Sequence, residues 1–354
     1  MPLPTEPIGS IPRPRELLQG IDARARGEIS EADLEALYEE AVRDTIESLE
    51  ETGSPVATDG EQRKPSFATY PIAGFEALAP DGVVIPFADG HTRQLPRITA
   101  GPFRYTTYAG SYLEAARPHA HVPLKQAVIS ASALSLLYPE EELDGYPRTD
   151  FLDDLVAEAE KDIRSCLAAG AHTVQIDFTE ARLAVKLDPT KGLLGNFIAL
   201  NNRVLERFSA AEGSRLGVHT CPGGDQDSTH SADVDYADLL PSLFELQVRN
   251  FYVQLASEHD RARVLRIVAE HLRPEQAVFV GVTDPIDPRV ETPDEVCERV
   301  LEAAEHIPVD RLGTTDDCGF APFGDDVSTA RETAFAKIRA RVAGTELASR
   351  ELGL

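Results

Sequence analysis

Short apolar runs alternate along the chain with longer stretches in which apolar residues recur every three to four positions. The short runs read as strands at Ile8–Pro12, Pro55–Asp59, Gln126–Ser130, Thr173–Asp177, Leu216–Cys221, Phe251–Leu255, Ala277–Val282 and Arg311–Thr315. The longer ones read as amphipathic helices at Ser30–Glu51, Asp150–Ala169, Leu193–Ala211, Tyr236–Leu246, Ala262–His271, Thr292–His306 and Ser328–Val342. Ser30 before Asp33 and Thr292 before Glu295 predict helix N-caps with an acidic first turn. Strands alternating with helices predict parallel β/α units, and eight such units over this length predict an α/β fold of the (β/α)8 TIM barrel kind.

One interval breaks the alternation. Residues 64–123 are rich in Gly, Pro, Tyr and Thr, and LPRITAGPFRYTTYAGSYLE reads as a hairpin around Ala100-Gly101-Pro102. The segment is expected to be an insertion after the second strand, lying over the barrel mouth within a single domain spanning 1–354. A separate small domain is the competing reading. After Val342 the pattern predicts a short polar tail.

Composition narrows the function classes. A chain of 354 residues, 42% hydrophobic, can bury a large core. A formal net charge of −26 argues against nucleic acid or an anionic membrane face as a general partner. MPLPTEPIGS has neither a basic n-region nor an apolar core, and no run approaches the ~18 apolar residues of a membrane span, so a cytoplasmic protein is expected. The cysteines, Cys166, Cys221, Cys297 and Cys318, match no disulfide framework. Cys166 and Cys297 sit in helical patterns and read as packing residues, whereas Cys221 and Cys318 fall at strand ends.

In a parallel barrel the loops after the strands form one rim, and reactive residues gather there. His219 and Cys221 are two apart, so both point the same way from a strand. With Cys318 they make a set that suits zinc and leaves one coordination position open. Spacing alone leaves coincidence as an alternative. The other strand ends carry Gly9-Ser10, Asp59 to Arg63, Ser130-Ala131-Ser132, Asp177 with Glu180 and Arg182, Gln254, Asp284 with Asp287, and Asp316-Asp317. Singly, Gly9-Ser10 reads equally as a turn, Asp177 as a helix cap, and Glu61 with Arg63 as a surface ion pair. Their convergence on one rim favours a site.

IGSIPRP, TDGEQRK, VQIDFTEAR, the HTC motif and DDCGFAPFGDD, in this order, resemble the catalytic C-terminal barrel of cobalamin-independent methionine synthase, and still more its short single-barrel relatives. The superfamily includes zinc-dependent epoxyalkane:coenzyme M transferase. The resemblance implies a Zn2+ cofactor held by His219, Cys221 and Cys318. It also implies an amino-acid substrate whose carboxylate meets Ile8, Gly9 and Ser10 and whose ammonium meets Glu61 and Asp177. The expected reaction is methyl transfer from a methylated folate or other carrier to a small thiol such as homocysteine. Partners are then that thiol and the methyl donor, with a homo-oligomer left open.

Two positions depart from the family pattern. Gln254 stands where the synthases have a glutamate that ligates zinc when substrate is absent, which makes it a substrate-side residue here. Ile286 stands where they have a histidine that assists proton movement, leaving Asp287 and His230 as candidates for the catalytic acid. Two other readings compete: thiol addition to an epoxide, or removal of an alkyl group from a thioether, as in the coenzyme M branch, and a barrel kept as a non-enzymatic binding protein.

Overall fold

The computed structural model describes residues 2–354. Its central sheet is six parallel strands in chain order: Gln126–Ile129, Val174–Asp177, Leu216–Thr220, Asn250–Val253, Ala277–Thr283 and Leu312–Asp316. Each pairs with the next in parallel register, including Ile129 with Asp177 and Asp177 with His219. The next pairing sets Tyr252 against His219. Helices follow the strands, as crossovers between parallel neighbours require.

Two further segments complete the ring. Thr5 bridges Thr314 in parallel, with Glu6 N–H donating to Thr314 O at 3.0 Å. Ala57 bridges Leu124, with Lys125 N–H donating to Ala57 O at 2.9 Å. The two segments meet through Thr58 Oγ1–H to Gly9 O at 2.8 Å and Ile11 N–H to Gly60 O at 3.0 Å. Eight positions thus close on themselves, the first two as single bridges instead of the strands expected at 8–12 and 55–59. Proline explains the difference: Pro4, Pro7, Pro12 and Pro55 carry no N–H and cannot extend a ladder. The residues at 8–10 accordingly lie beyond the bridge, at the rim.

The helix over Glu31–Glu51 carries the expected capping box from Ser30 and Asp33, and Pro293–Ala304 the one from Thr292 and Glu295. Helices Arg15–Ala25, Gly110–Ala116 and Glu180–Leu187 go beyond those expected. The C-terminal helix runs Arg331–Glu351, so the stretch expected as a polar tail is helical. Gly344 permits this, since a Cβ there would stand 2.4 Å from Val296 Cβ: the two helices pack closely where the sequence places a residue without a side chain. Cys166 and Cys297 are buried packing residues.

Within 64–123 the hairpin lies earlier than expected. Strands Val84–Pro86 and Thr92–Gln94 pair antiparallel around Asp89-Gly90, and Leu78–Ala79 pairs with Arg97–Ile98. Asp-Gly is the stronger turn signal, because glycine takes positive φ freely; Gly90 has φ 96°. Among the described residues no helix is long and apolar enough to cross a membrane.

Candidate metal centre and the cavity around it

Three donor atoms converge at the barrel rim. The ligand atoms of His219, Cys221 and Cys318 all lie within 4.8 Å of one another, the one such group of His, Cys, Asp or Glu found among the described residues. The strand Leu216–Thr220 delivers the first two and the turn after Leu312–Asp316 delivers the third. His219 Nδ1 stands 3.3 Å from the Tyr252 carbonyl oxygen, while its Nε2 is buried without a hydrogen-bond partner. With Nδ1–H donating, Nε2 presents a lone pair to the two sulfurs. Cys221 Sγ and Cys318 Sγ are 3.1 Å apart, and Gly223 N–H donates to Cys221 Sγ at 3.4 Å. Two sulfurs bound to one ion at about 2.3 Å stand within about 4 Å of each other. Cys221 beside it, and burial, push the Cys318 thiol well above its ordinary range, so that sulfur needs a cation to hold it as a thiolate. An orphaned imidazole nitrogen beside two sulfurs fits zinc.

A cavity of about 700 Å³ opens beside these residues and is also lined by Ile8, Gly9, Ser10, Glu61, Asp177 and His230. Glu61 enters it from a tight turn. Gly60 and Glu61 both have positive φ, 64° and 56°, and a Cβ on Gly60 would meet Thr45 Cγ2 at 2.5 Å. A non-glycine residue held there marks a backbone whose surroundings over-determine it. Asp177 receives Gln175 Nε2–H at 2.7 Å. Burial pushes both carboxyls above their ordinary range; for Glu61 the charge of Asp177 adds to the rise and Lys64 opposes it. The Lys64 ammonium is bonded to Glu61 and not to Asp177, which leaves room for a second positive charge. Ser10 Oγ accepts Ala321 N–H at 3.2 Å and its carbonyl accepts Phe320 N–H at 3.0 Å, tying the first rim segment to the loop after Cys318.

The other expected site residues fare differently. Gln254 Oε1 accepts Arg182 Nη1–H at 2.6 Å and its Nε2 donates to Ser257 Oγ at 2.5 Å, so the amide is held in place by one bond at each end. Asp287 accepts Arg289 N–H at 2.9 Å in an outward turn and does not line the cavity. His230 lines it, but burial pushes its imidazole down to about 4; at neutral pH it is an uncharged ring that Ser231 Oγ contacts at 2.9 Å. It packs over Gly223, where φ is 70° and a Cβ would meet His230 Nε2 at 1.8 Å. Asp316 pairs with Arg341 at 3.0 Å. Asp317 accepts the N–H groups of Leu255, Ala256 and Ser257, each at 2.8 Å, and so fixes the loop beside Cys318.

Sequence reasoning missed Lys64, and gave Arg182 a place on the rim but no partner. Lys64 Nζ donates to Glu61 Oε1 and to Ala127 O, each at 2.9 Å, entirely buried. Arg63, paired with Glu61 in the sequence reading, binds Glu35 on the outside instead. Arg182 ties Gln254 and Glu258 to the carbonyls of Ala232 and Val234. TDGEQRK and VQIDFTEAR contain both, but nothing in a basic residue's sequence context says that it is buried.

The hairpin at 84–94 meets the loop that follows Cys221. Ala88 N–H donates to Thr229 O at 2.9 Å, Arg93 Nε pairs with Asp225 at 2.5 Å and Arg93 Nη1 with Asp325 at 2.9 Å. Phe87 reaches His230, with ring centroids 5.6 Å apart.

Comparison with known proteins agrees with this fold. A methionine synthase of Saccharolobus solfataricus is 24% identical over 355 residues, covering 99% of this chain and 96% of that protein. One of Thermococcus kodakarensis is 24% identical over 362 residues, covering 99% and 94%. The structure of a B12-independent methionine synthase from Shewanella sp. W3-18-1 in complex with selenomethionine superposes with a TM-score of 0.77 at 18% identity, covering 99% of each chain. That of a putative vitamin-B12 independent methionine synthase from Listeria monocytogenes gives 0.72 at 22% identity, covering 97% of each. Residues 3–340 match the family described as "Cobalamin-independent synthase, Catalytic domain", and the chain belongs to that family.

Proposed function

We propose that this chain is a cytoplasmic, zinc-dependent methyltransferase that transfers a methyl group from a methylated folate or other carrier to the sulfur of homocysteine or a similar amino thiol. The observation that carries the reading is the convergence of His219, Cys221 and Cys318 within 4.8 Å, with His219 and Cys318 lining one cavity with Glu61 and Asp177. Zinc, when bound there, supplies the positive charge that holds a thiol deprotonated at neutral pH.

The chain's own residues do the rest. Glu61 and Asp177 accept the substrate's ammonium, whose charge offsets the second of two buried carboxylates. The Gly9 and Ser10 backbone, with the Ser10 hydroxyl, receives its carboxylate. Anchored at both charged ends, the sulfur can approach the donor carbon in only a narrow set of directions, and that restriction is a large part of what an active site contributes to rate. We read residues 64–123 as an insertion within one domain, with the 84–94 hairpin roofing the cavity and limiting water around the nucleophile.

The cavity's charges weigh against the coenzyme M branch. Its lining cations are Arg13, Lys64 and Arg93. Arg13 donates to the carbonyls of Glu61, Lys64 and Phe323. Lys64 is taken by Glu61, and Arg93 by Asp225 and Asp325. None is left to hold a sulfonate.

A thiol panel tests the assignment. With the zinc-loaded enzyme and 5-methyltetrahydrofolate, homocysteine should be methylated far better than 3-mercaptopropionate, which lacks the ammonium. Charge-assisted hydrogen bonds of about 1.5–3 kcal/mol correspond to about 10–100-fold in kcat/KM. Asp177→Asn should erase most of that preference. Equal turnover of both thiols, or a preference for mercaptoethanesulfonate, would sink the amino-thiol reading.

A further inference from the structure

Three residues beyond Asp177 lies a buried carboxyl to which neither the metal centre nor the amino-acid pocket gives a task. Glu180 opens the short helix Glu180–Leu187 and lines the same cavity as His219 and Asp177. Its two oxygens are treated differently. Oε1 receives the hydroxyl of Ser130 at 2.6 Å and that of Ser132 at 2.5 Å. Oε2 is buried and has no hydrogen-bond partner. The serines are themselves held: Ser130 Oγ accepts Ala133 N–H at 3.0 Å, and Ser132 Oγ accepts Asn201 Nδ2–H at 2.7 Å. Each hydroxyl therefore has its proton free to point at Oε1. An oxygen receiving two donors is a poor place for a further proton, so the proton of the neutral acid sits on Oε2.

We propose that Glu180 is the catalytic acid, delivering the Oε2 proton to the leaving group of the methyl donor. The proposal rests on the methyl-transfer reading above. As the substrate thiolate forms its bond to the methyl carbon, the bond from that carbon to the donor's amine nitrogen breaks and its electron pair stays on nitrogen. That nitrogen takes the proton from Oε2, and Glu180 is left as a carboxylate whose Oε1 the two serine hydroxyls already solvate. Bulk water returns the proton before the next turnover.

The environment suits the task. Burial, with a contribution from Asp177, raises the Glu180 carboxyl to about 7, against the pull of Ser130 and Ser132. Asp177 is the charged group acting on it. Ser130, Ser132 and Asn201 are neutral, and Arg182, two residues on, turns its guanidinium to Gln254 and Glu258. An acid that titrates near the working pH gives and regains a proton with equal ease. The expected acids, Asp287 and His230, lack this: one faces outward and the other is uncharged at neutral pH.

The leaving group supplies the test. An amine donor such as 5-methyltetrahydrofolate needs a proton on departure, whereas a sulfonium donor such as S-methylmethionine leaves as a neutral thioether and needs none. Glu180→Gln should slow transfer to homocysteine from the amine donor by about 10²–10⁴-fold. It should also abolish the fall in rate above about pH 7 expected of wild type. With the sulfonium donor the same variant should stay near the wild-type rate. Ser132→Ala removes a hydroxyl that stabilises the carboxylate more than the neutral acid, so it should move the alkaline limb upward in pH, which a purely structural serine would not do.

Infrared spectra of the metal-free protein give a readout without turnover. The wild-type minus Glu180→Gln difference should contain a protonated-carboxyl C=O band that disappears as pH rises through about 7. Taking the difference removes Asp162 and Asp317, which burial also pushes up, to about 6 and about 7. Absence of that band at pH 6, or equal slowing with both donors, overturns the proton-donor role while leaving the methyltransferase assignment standing. Failure of wild type with both donors removes both proposals.

Discussion

Cys221→Ser is expected to leave a folded barrel that no longer holds zinc. The sulfur is one of three converging donors, and a neutral serine hydroxyl cannot replace a thiolate. Losing a group that only orients a ligand costs 10–100-fold in metal affinity, so losing a ligand should cost at least about 10³-fold. Methyl transfer should fall in proportion to the metal lost. The fold should stay because Cys221 is unbridged and serine has nearly its shape, leaving the free energy of urea unfolding within about 1 kcal/mol of wild type. Cys166→Ser is the control: that thiol is buried in the helix Arg148–Ala168, remote in role from the centre, and zinc content should be unchanged. Competition with a chromophoric chelator measures the loss. If Cys221→Ser keeps wild-type zinc affinity, the ion sits elsewhere and His219, Cys221 and Cys318 are not its ligands.

Lys64→Met should produce the largest loss of stability of any single change near the site. It removes the ammonium from a buried pair and leaves Glu61 without its cation, a change that typically costs about 3–5 kcal/mol. In the native protein burial works against the charge on Lys64, but Glu61 and Asp59 outweigh it and raise its pKa, so the pair persists through neutral pH. The variant should show a particular pH dependence. Glu61 is already raised above its unfolded value, and without Lys64 it rises further. A carboxyl with a raised folded pKa is most favourable to the fold below its unfolded value of about 4.3, and loses that advantage as pH rises through the folded value. Urea unfolding should therefore show a small difference from wild type near pH 4 and the full loss near pH 8. A difference independent of pH would mean that Lys64 matters through packing and not through its pairing with Glu61.

The rim was legible from sequence where chemistry and period coincide. His219-x-Cys221 on an apolar strand and Cys318 after another could be placed on one edge because parallel strands all end there, and the structure brings their donor atoms together. The eight-position order was legible for the same reason. The first two positions were misjudged in form: apolar residues at Ile8 and Ile11 suggested a strand, but the surrounding prolines hold pairing to one bridge at Thr5 and push Gly9 and Ser10 to the rim. Burial of charge was not legible. Nothing in TDGEQRK distinguishes Lys64, which turns inward to Glu61, from Arg63, which turns outward to Glu35. Their χ angles and partners are set by a turn whose positive φ appears only in three dimensions. Gln254 was read as a substrate-side residue, and its bond to Arg182 was not legible because that partner lies 72 residues away in the chain. Glu180 was visible as a rim carboxyl, but its role depends on Ser130 and Ser132 from the preceding strand end, a contact no single segment contains.

Zinc K-edge X-ray absorption of the metal-loaded protein, before and after adding homocysteine, tests the central claim most directly. The account predicts two sulfurs at about 2.3 Å and one imidazole nitrogen at about 2.0–2.1 Å in the resting protein, and a third sulfur at about 2.3 Å once the amino thiol is bound. A resting shell without two sulfurs, or a sulfur count that homocysteine leaves unchanged, would contradict it.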